Sequence, residues 1–346
     1  MKKKFYSMFG LLLSGSLLLA ACGDGDDGDN GEAGGDANGD TDTETDADTE
    51  VNVSNLQIGT GSTGGTYYPL GQEMANVINA NIEGYDGFDL SAVSTGASVD
   101  NISMINQGEL ELGMSVHLPA LDALTGDGDF EGVAVENFGF MGHIYPEVMQ
   151  IVTPADSDIE SIADLAGKDV AIGPPGSGTQ AAARMILEAY GLEDGDYTAI
   201  EEGFGDAAGR LQDGNLDASF GLLGLPAGSI QELEVQRDIR MIPISDEGLS
   251  YIEENSGYEG LTIPADSYDF LDEDIQAITA YAILVGSTDL IDEDLGYEIT
   301  KALFENSGDI SHDQGQHLTK ENALNGSDGL PLHPGAERYF EEEGLN

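Results

Sequence analysis

The chain has 346 residues, with 66 Asp and Glu against 11 Lys and Arg, for a formal net charge of −55. An acid load of this size repels nucleic acid and excludes a nucleic-acid-binding role. The single cysteine, Cys22, excludes an intrachain disulfide framework.

The length suits two domains with proper cores, and the apolar content is ordinary for a soluble protein. The acids are not confined to one tail. Residues 24–50 hold 12 of the 66, and the rest are spread along the chain. A surface this acidic repels itself. The composition therefore points to salty, halophilic surroundings, where the Debye length shrinks to about 3 Å near 1 M salt.

Lys2, Lys3 and Lys4 make a basic start, and Phe9 to Leu19 is an apolar run too short to remain as a membrane span. The run closes on Leu19-Ala20-Ala21-Cys22. Small residues before a cysteine resemble the lipobox of bacterial lipoproteins, so residues 1–22 read as a lipoprotein signal peptide. Cleavage there leaves Cys22 lipidated. More than one acyl chain is what stable anchoring needs. An ordinary secretory signal with a chance cysteine is the plainer alternative. Residues 23–53 are mostly Gly, Asp, Thr, Asn and Glu, too poor in apolar residues to fold, and read as an acidic disordered tether.

From Ser54 onward strand and helix signals alternate. Leu56–Ile58 is a strand, followed by a glycine-dense turn and a helix from Thr66 to about Asn81, with Leu70, Met74, Val77 and Ile78 at helical spacing. Strand 88–93, helix 99–107, strand 110–116 and a short helix over 119–124 follow. Phe138–His143 and Val148–Val152 are two extended apolar runs, the second leading into a crossover at Thr153-Pro154. A second set comes next: helix 159–166, strand 168–172, helix 180–190, strand 198–201, helix 206–212, strand 216–222, helix 227–233 and strand 239–244. A long apolar strand over 278–285, a helix over 295–304 and a final helix opened by Pro334 complete the pattern. Strands separated by helices argue for parallel α/β layers, in which ligands bind at the carboxyl ends of strands.

Three turns fall at that edge and mark the candidate site. Gly61, Ser62, Gly64, Gly65, Thr66 and Tyr67 form the first; Thr95, Gly96, Ala97 and Ser98 the second, with Asn101 one turn further; Gly176, Ser177, Gly178 and Thr179 the third. Glycines let backbone N–H groups approach a ligand, and a helix N-terminus adds partial positive charge. This suits a chain with no Lys or Arg from Phe5 to Gly167. The bland readings are a tight turn and a plain helix cap. Gly224 and Pro226 mark one more turn at a strand end. His117, at the end of an apolar strand, is a ligand donor or a satisfied structural histidine. One of Tyr67 and Tyr68 packs as core while the other walls the cleft. Arg184 is the one scarce cation placed near a glycine turn.

Gly59-x-Gly61-x-x-Gly64 matches a dinucleotide fingerprint, but the following strand does not end in the acid that would bind ribose. No Gly-Lys-Ser/Thr makes a P-loop, and Ser177 lies in no Gly-x-Ser-x-Gly elbow. His312 and His317 lack the company of a metal site, and the acidic loop at 127–132 places Phe138 where a calcium loop ends. The chain reads as no enzyme, with no cofactor and no metal.

Gly64-Gly65-Thr66-Tyr67-Tyr68-Pro69, Thr95-Gly96-Ala97-Ser98-Val99-Asp100-Asn101, Gly173-Pro174-Pro175-Gly176-Ser177-Gly178-Thr179 and Leu332-His333-Pro334-Gly335-Ala336 stand in that order. Together they resemble the TAXI-type solute-binding proteins of TRAP transporters, over roughly Leu56 to the end. The resemblance implies an α/β type II periplasmic-binding-protein fold: two α/β lobes with a ligand cleft between them. It assigns residues 54–150 with 264–346 to lobe I and 151–263 to lobe II, with hinges near Ile151–Pro154 and Met241–Pro264. It implies a monomeric extracytoplasmic receptor for glutamate, glutamine or a similar small carboxylate, held to the membrane by a lipid anchor. Its partners would be TRAP membrane subunits driven by an ion gradient. A sensor with the same cleft, or an acidic cell-surface protein that binds ions, are the rival readings. The acidity of this chain and His117 depart from the family pattern and leave the ligand open.

Overall fold

The computed structural model describes residues 53–345. The expected signal peptide, the lipidation site Cys22 and all but the last residue of the tether lie outside them.

The elements run in chain order as β1 (Leu56–Gly59), α1 (Tyr67–Asn81), β2 (Leu90–Val93), α2 (Ser98–Asn106), β3 (Leu112–Val116), α3 (His117–Thr125) and β4 (Phe138–Pro154). Then come β5 (Asp169–Ala171), α4 (Gly178–Ala189), β6 (Thr198–Ile200), α5 (Phe204–Asp213), β7 (Ala218–Leu223), α6 (Gly228–Gln236), β8 (Ile239–Met241), α7 (Asp246–Asn255) and β9 (Glu259–Ile263). The chain ends with β10 (Ile275–Ser287), α8 (Glu293–Glu305) and α9 (Pro334–Glu342).

Two strands organise all the others. β4 has 17 residues and β10 has 13. At about 3.3 Å per residue β4 extends for roughly 56 Å, far beyond one sheet of ordinary strands. The two run antiparallel to each other. Around the first half of β4 the order is β2-β1-β3-β10-β4; around its second half it is β6-β5-β7-β4, with β8 on the far side of β4. Each half is thus a parallel α/β sheet with one antiparallel strand inserted, and the two halves make two lobes joined by continuous strands.

The pattern of burial follows. β4 is buried on both faces along almost its whole length because helices cover each side. One core cluster fills the first lobe, with Ile58, Leu70, Met74 and Ile102 meeting Leu303, Tyr339 and Phe340 of the C-terminal helices. In the second lobe Met149, Ile151, Val170 and Ile172 face one cluster. Val148, Val152 and Ala171 face another. That alternation is the period-2 side-chain pattern of a strand covered on both sides. Ile275–Ala280 of β10 also pack in the second lobe's clusters, so the returning chain crosses between lobes within β10.

The observed elements depart from the sequence pattern in several places, including β9, which the pattern does not contain. The runs at 138–143 and 148–152 are one strand; Pro146 divides them in sequence, and the ladder tolerates it beside a register shift at Ala282/Ile283. The helix expected over 159–166 is only a 3₁₀ turn, Ile162–Leu165. The Asp164 carboxylate accepts from the N–H groups of Glu160 and Ser161, which holds those residues outside the helix, and Gly167 at φ 76° ends it. Conversely, α7 is a helix absent from the sequence pattern; it buries only Gly248 and Ile252, and Ser245 caps it through the N–H of Gly248 at 3.2 Å.

Among the described residues no helix is long and apolar enough to cross a membrane. No cluster of three or more metal-ligating side chains occurs among them either.

Candidate functional site

The carboxyl ends of β1, β2, β3, β5 and β7 all point to the seam between the lobes, and the helices that follow them start there. A cavity of about 60 Å³ lies in that seam. The first lobe lines it with Gly61, Ser62, Gly65, Thr66 and Tyr67 before and into α1, with Ala97 and Ser98 at the start of α2, and with Val116. The second lobe contributes Gly173, Pro174, Ser177, Gly178 and Thr179 at the start of α4, with Phe204 at the start of α5. Phe220, Leu222 and Leu223 of β7 form an apolar wall. Tyr145 and Glu147 of β4 complete the lining.

The N-termini of α2 and α4 face each other across this space. The first N–H groups of a helix have no intrahelical acceptor, so Ser98, Gly178 and Thr179 present donors to the cavity. Most hydroxyls there are turned to the protein. Ser177 Oγ accepts from Gln180 N at 3.1 Å and donates to the Pro174 carbonyl at 2.8 Å. Thr179 Oγ1 accepts from Leu222 N at 3.3 Å. Ser98 Oγ accepts from Val116 N at 3.0 Å. The hydroxyls thus fix the two helix starts, and the backbone supplies the free donors. Ala97 reaches this position with φ 75° and ψ −141°, a conformation that non-glycine residues rarely adopt.

The lobes are closed on each other. Thr66 Oγ1 of the first lobe accepts from Gly224 N of the second at 3.0 Å. Val99 N donates across the seam to the Gly176 carbonyl at 2.9 Å. Gly64 lies against Gly205 so closely that a Cβ on Gly205 would come within 2.8 Å of Gly64 Cα.

The electrostatics are unusual. No Lys or Arg lines the cavity. Arg184 lies outside it and pairs with Asp194 at 3.0 Å and Glu201 at 3.7 Å. Glu147, by contrast, is 2% exposed and lines it. Its Oε1 accepts from the Tyr145 hydroxyl at 3.0 Å, while Oε2 has no protein partner. The Tyr67 hydroxyl acts on this carboxyl but lacks an aligned hydrogen bond of its own. Burial pushes the Glu147 carboxyl up to about 8, against the pull of the Tyr67 and Tyr145 hydroxyls. Burial likewise raises the hydroxyls of Tyr67 and Tyr145, so both keep their protons.

Of the sequence candidates, Gly61, Ser62, Gly65, Thr66, Tyr67, Ala97, Ser98, Ser177, Gly178 and Thr179 come together around the cavity. The others stand behind or beside it. Gly64 sits in the seam against Gly205. Thr95 Oγ1 donates to the Thr60 carbonyl at 3.1 Å, and Gly96 N donates to Asp100 at 2.9 Å. Asn101 is buried and donates to the carbonyls of Thr60 at 2.9 Å and Met114 at 2.7 Å, tying α2 to β1 and β3. Gly176 and Gly224 supply interlobe backbone contacts, and Pro226 lines a separate surface groove. His117 points away: its Nδ1 accepts from Tyr281 N at 3.2 Å, its ring packs edge-on to Tyr281 at 5.3 Å, and burial pushes it down to about 4. Tyr67, not Tyr68, walls the cavity, edge-on to Tyr145 at 6.2 Å.

Tyr145, Glu147, Phe204 and Phe220 were not candidates in the sequence. Glu147 carries one hint, being a carboxylate between two apolar runs of what is one strand.

Solved structures share this chain's architecture at low identity. Periplasmic binding protein BugD matches with a TM-score of 0.51 and 11% identity, over 84% of this chain and 93% of that one. A protein from Bordetella bronchiseptica RB50 gives 0.50 and 14%, over 84% and 81%. The alkanesulfonate-binding protein SsuA from Xanthomonas axonopodis pv. citri, bound to MOPS, gives 0.48 and 17%, over 83% of each chain. The fold is that of the type II periplasmic binding proteins. The sequence profile of the NMT1-like family matches residues 58–344, nearly everything beyond the acidic leader, and the chain belongs to that family.

Proposed function

We propose that this protein is an extracytoplasmic solute receptor, lipid-anchored through Cys22, that captures a small carboxylate and hands it to ion-gradient-driven TRAP membrane subunits. The observation that carries the reading is the pair of opposed helix N-termini, α2 and α4, aimed into a cavity between two lobes. Backbone N–H groups at such termini hold anions without a cationic side chain. Family membership and the two-lobed fold support a receptor over an enzyme, and no nucleophile stands beside a base in the cavity. The TRAP partner rests on the four ordered sequence motifs, with the closed form as the state that docks. The receptor works without a cofactor in this reading.

Isothermal titration of the purified protein with a panel of amino, monocarboxylic and dicarboxylic acids tests it. Saturable one-to-one binding of at least one carboxylate is expected, together with ligand-driven uptake when the receptor is reconstituted with its membrane subunits. A panel silent throughout sinks the receptor reading. Binding without uptake by TRAP subunits removes only the transport assignment.

A further inference from the structure

Carboxylate capture at the two helix starts leaves Glu147 unexplained. Burial holds the proton on Glu147, and no Lys or Arg lines the cavity to favour its charged form; once ionised, it would repel a bound carboxylate. A buried, unpaired carboxylate is costly to keep unless a positive group meets it. Here the missing partner has a defined place. Neither Glu147 Oε2 nor the Tyr67 hydroxyl makes an aligned hydrogen bond to the protein, although the hydroxyl acts on the Glu147 carboxyl; both are buried, and both residues line the cavity. An ammonium group offers three donors and suits this pair of oxygens.

We propose that Glu147 and Tyr67 receive the ammonium group of a small neutral α-amino acid whose carboxylate lies on the first turns of α2 and α4. The inference rests on the carboxylate-receptor reading above and narrows its ligand. The zwitterion brings its own counter-charge for each end of the site. Its side chain meets Phe204, Phe220 and Leu222, which offer nothing to a second carboxylate or an amide. The cavity is small, about 60 Å³. A compact side chain such as that of alanine or valine suits this space better than the longer, polar side chains of glutamate and glutamine. Tyr145 is a positioning residue: its hydroxyl holds Glu147 Oε1 and leaves Oε2 for the ligand.

The test is titration calorimetry of the full-length protein, dialysed free of solute, with ligand pairs that differ by one charged group. L-Alanine and L-valine are compared with propanoate and 3-methylbutanoate, which lack the ammonium group, and with ethylamine and 2-methylpropylamine, which lack the carboxylate. L-Glutamate and glutarate complete the panel. The expected result is that L-alanine or L-valine binds at least tenfold tighter than either of its truncated forms and tighter than L-glutamate. Glu147→Gln should lose at least tenfold for the amino acid and nothing for propanoate. Propanoate or 3-methylbutanoate binding within twofold of its parent, or glutarate or L-glutamate binding tightest, overturns this inference and leaves the receptor reading standing. An unchanged amino-acid affinity in a folded Glu147→Gln protein overturns it as well. Silence from every carboxylate overturns both. The wild-type comparison needs no variant, so a misfolded Glu147→Gln protein does not obstruct the test.

Discussion

Tyr145 donates its hydroxyl to Glu147 at 3.0 Å from two positions upstream on the same strand. Period-2 geometry brings the two side chains to one face of β4, and that face looks into the seam between the lobes. The pair is buried in a strand that passes through both lobes, so its electrostatics bear on stability as well as on binding.

A first prediction is a stability that falls with rising pH because of Glu147. Its folded-state value, about 8, lies above the unfolded value of 4.5. The folded protein therefore holds the proton more tightly. Glu147's contribution is fully present below pH 4.5 and is lost as pH rises through 8. Tyr67, Tyr145 and, at longer range, Tyr258 face this carboxyl, and burial keeps all three protonated through that window. Between pH 5.5 and 8.5 the loss comes to about 3 kcal/mol at ~1.4 kcal/mol per pK unit. Urea unfolding at the two pH values, in wild type and Glu147→Gln, checks it. The variant should be the more stable at pH 8.5 and should lack that share of the pH dependence; equal pH dependence in both refutes the assignment.

A second concerns closure. Gly64 and Gly205 touch backbone to backbone across the seam, leaving no room for a Cβ on either. Gly205 is the second residue of α5, where alanine suits the helix by up to ~1 kcal/mol more than glycine. Gly205→Ala should thus keep or raise stability while lowering ligand affinity at least tenfold, because the lobes stop short of the closed position. Small-angle scattering should report a larger radius of gyration than wild type in the presence of ligand. Full affinity in Gly205→Ala would mean that the seam yields there.

Both of these positions show what sequence alone can and cannot reach. The alternation of strands and helices, the glycine turns at strand ends and the starts of most helices, α7 excepted, are legible, because they depend on local periodicity and backbone conformation. The starts of α1, α2 and α4 stand within two residues of the sequence pattern for that reason. Glu147 is not legible: one acid among 66 carries no mark of burial, and Pro146 beside it hides the continuity of β4. Gly205 is equally silent, since its role depends on Gly64 from the other lobe. Asn101 shows the converse, a residue in the right motif whose amide is spent on the Thr60 and Met114 carbonyls.

A third prediction is read from the backbone of Ala97. At φ 75° and ψ −141° it occupies glycine territory, at a cost of order 1–3 kcal/mol. Ala97→Gly removes that strain but gives the unfolded chain more freedom, worth ~0.5–1 kcal/mol in the opposite sense. The net expectation is a gain of about 1 kcal/mol, and Ala97→Val should lose more than that. Denaturant midpoints of the three proteins decide it; a less stable Ala97→Gly would show that the turn carries no strain.

The net charge of −55 makes a fourth. Self-repulsion among surface carboxylates is screened as the Debye length falls from about 8 Å at 0.15 M to about 3 Å at 1 M salt. The midpoint of thermal unfolding should climb by several degrees over that range in KCl. A flat response would mean that the acids are spaced too widely to repel one another, and would remove the argument for a saline habitat.

Ser177 and Thr179 supply the last prediction. Ser177 Oγ caps α4 through Gln180 N, and Thr179 Oγ1 secures the N–H of Leu222 on β7. Loss of an N-cap hydroxyl costs about 1 kcal/mol. Ser177→Ala should lose about that much stability and only a few-fold in affinity, because the donors that face the ligand are backbone N–H groups that the substitution leaves in place. With Thr179→Ala added, the helix start is released from both its cap and β7, the N–H groups lose their aim, and affinity should fall at least tenfold. Ser177→Thr retains a capping hydroxyl and should restore most of the stability. If instead Ser177→Ala alone abolished binding in a protein of near-normal stability, the hydroxyl itself would be touching the ligand, and the division of labour between capping side chains and binding backbone would be wrong.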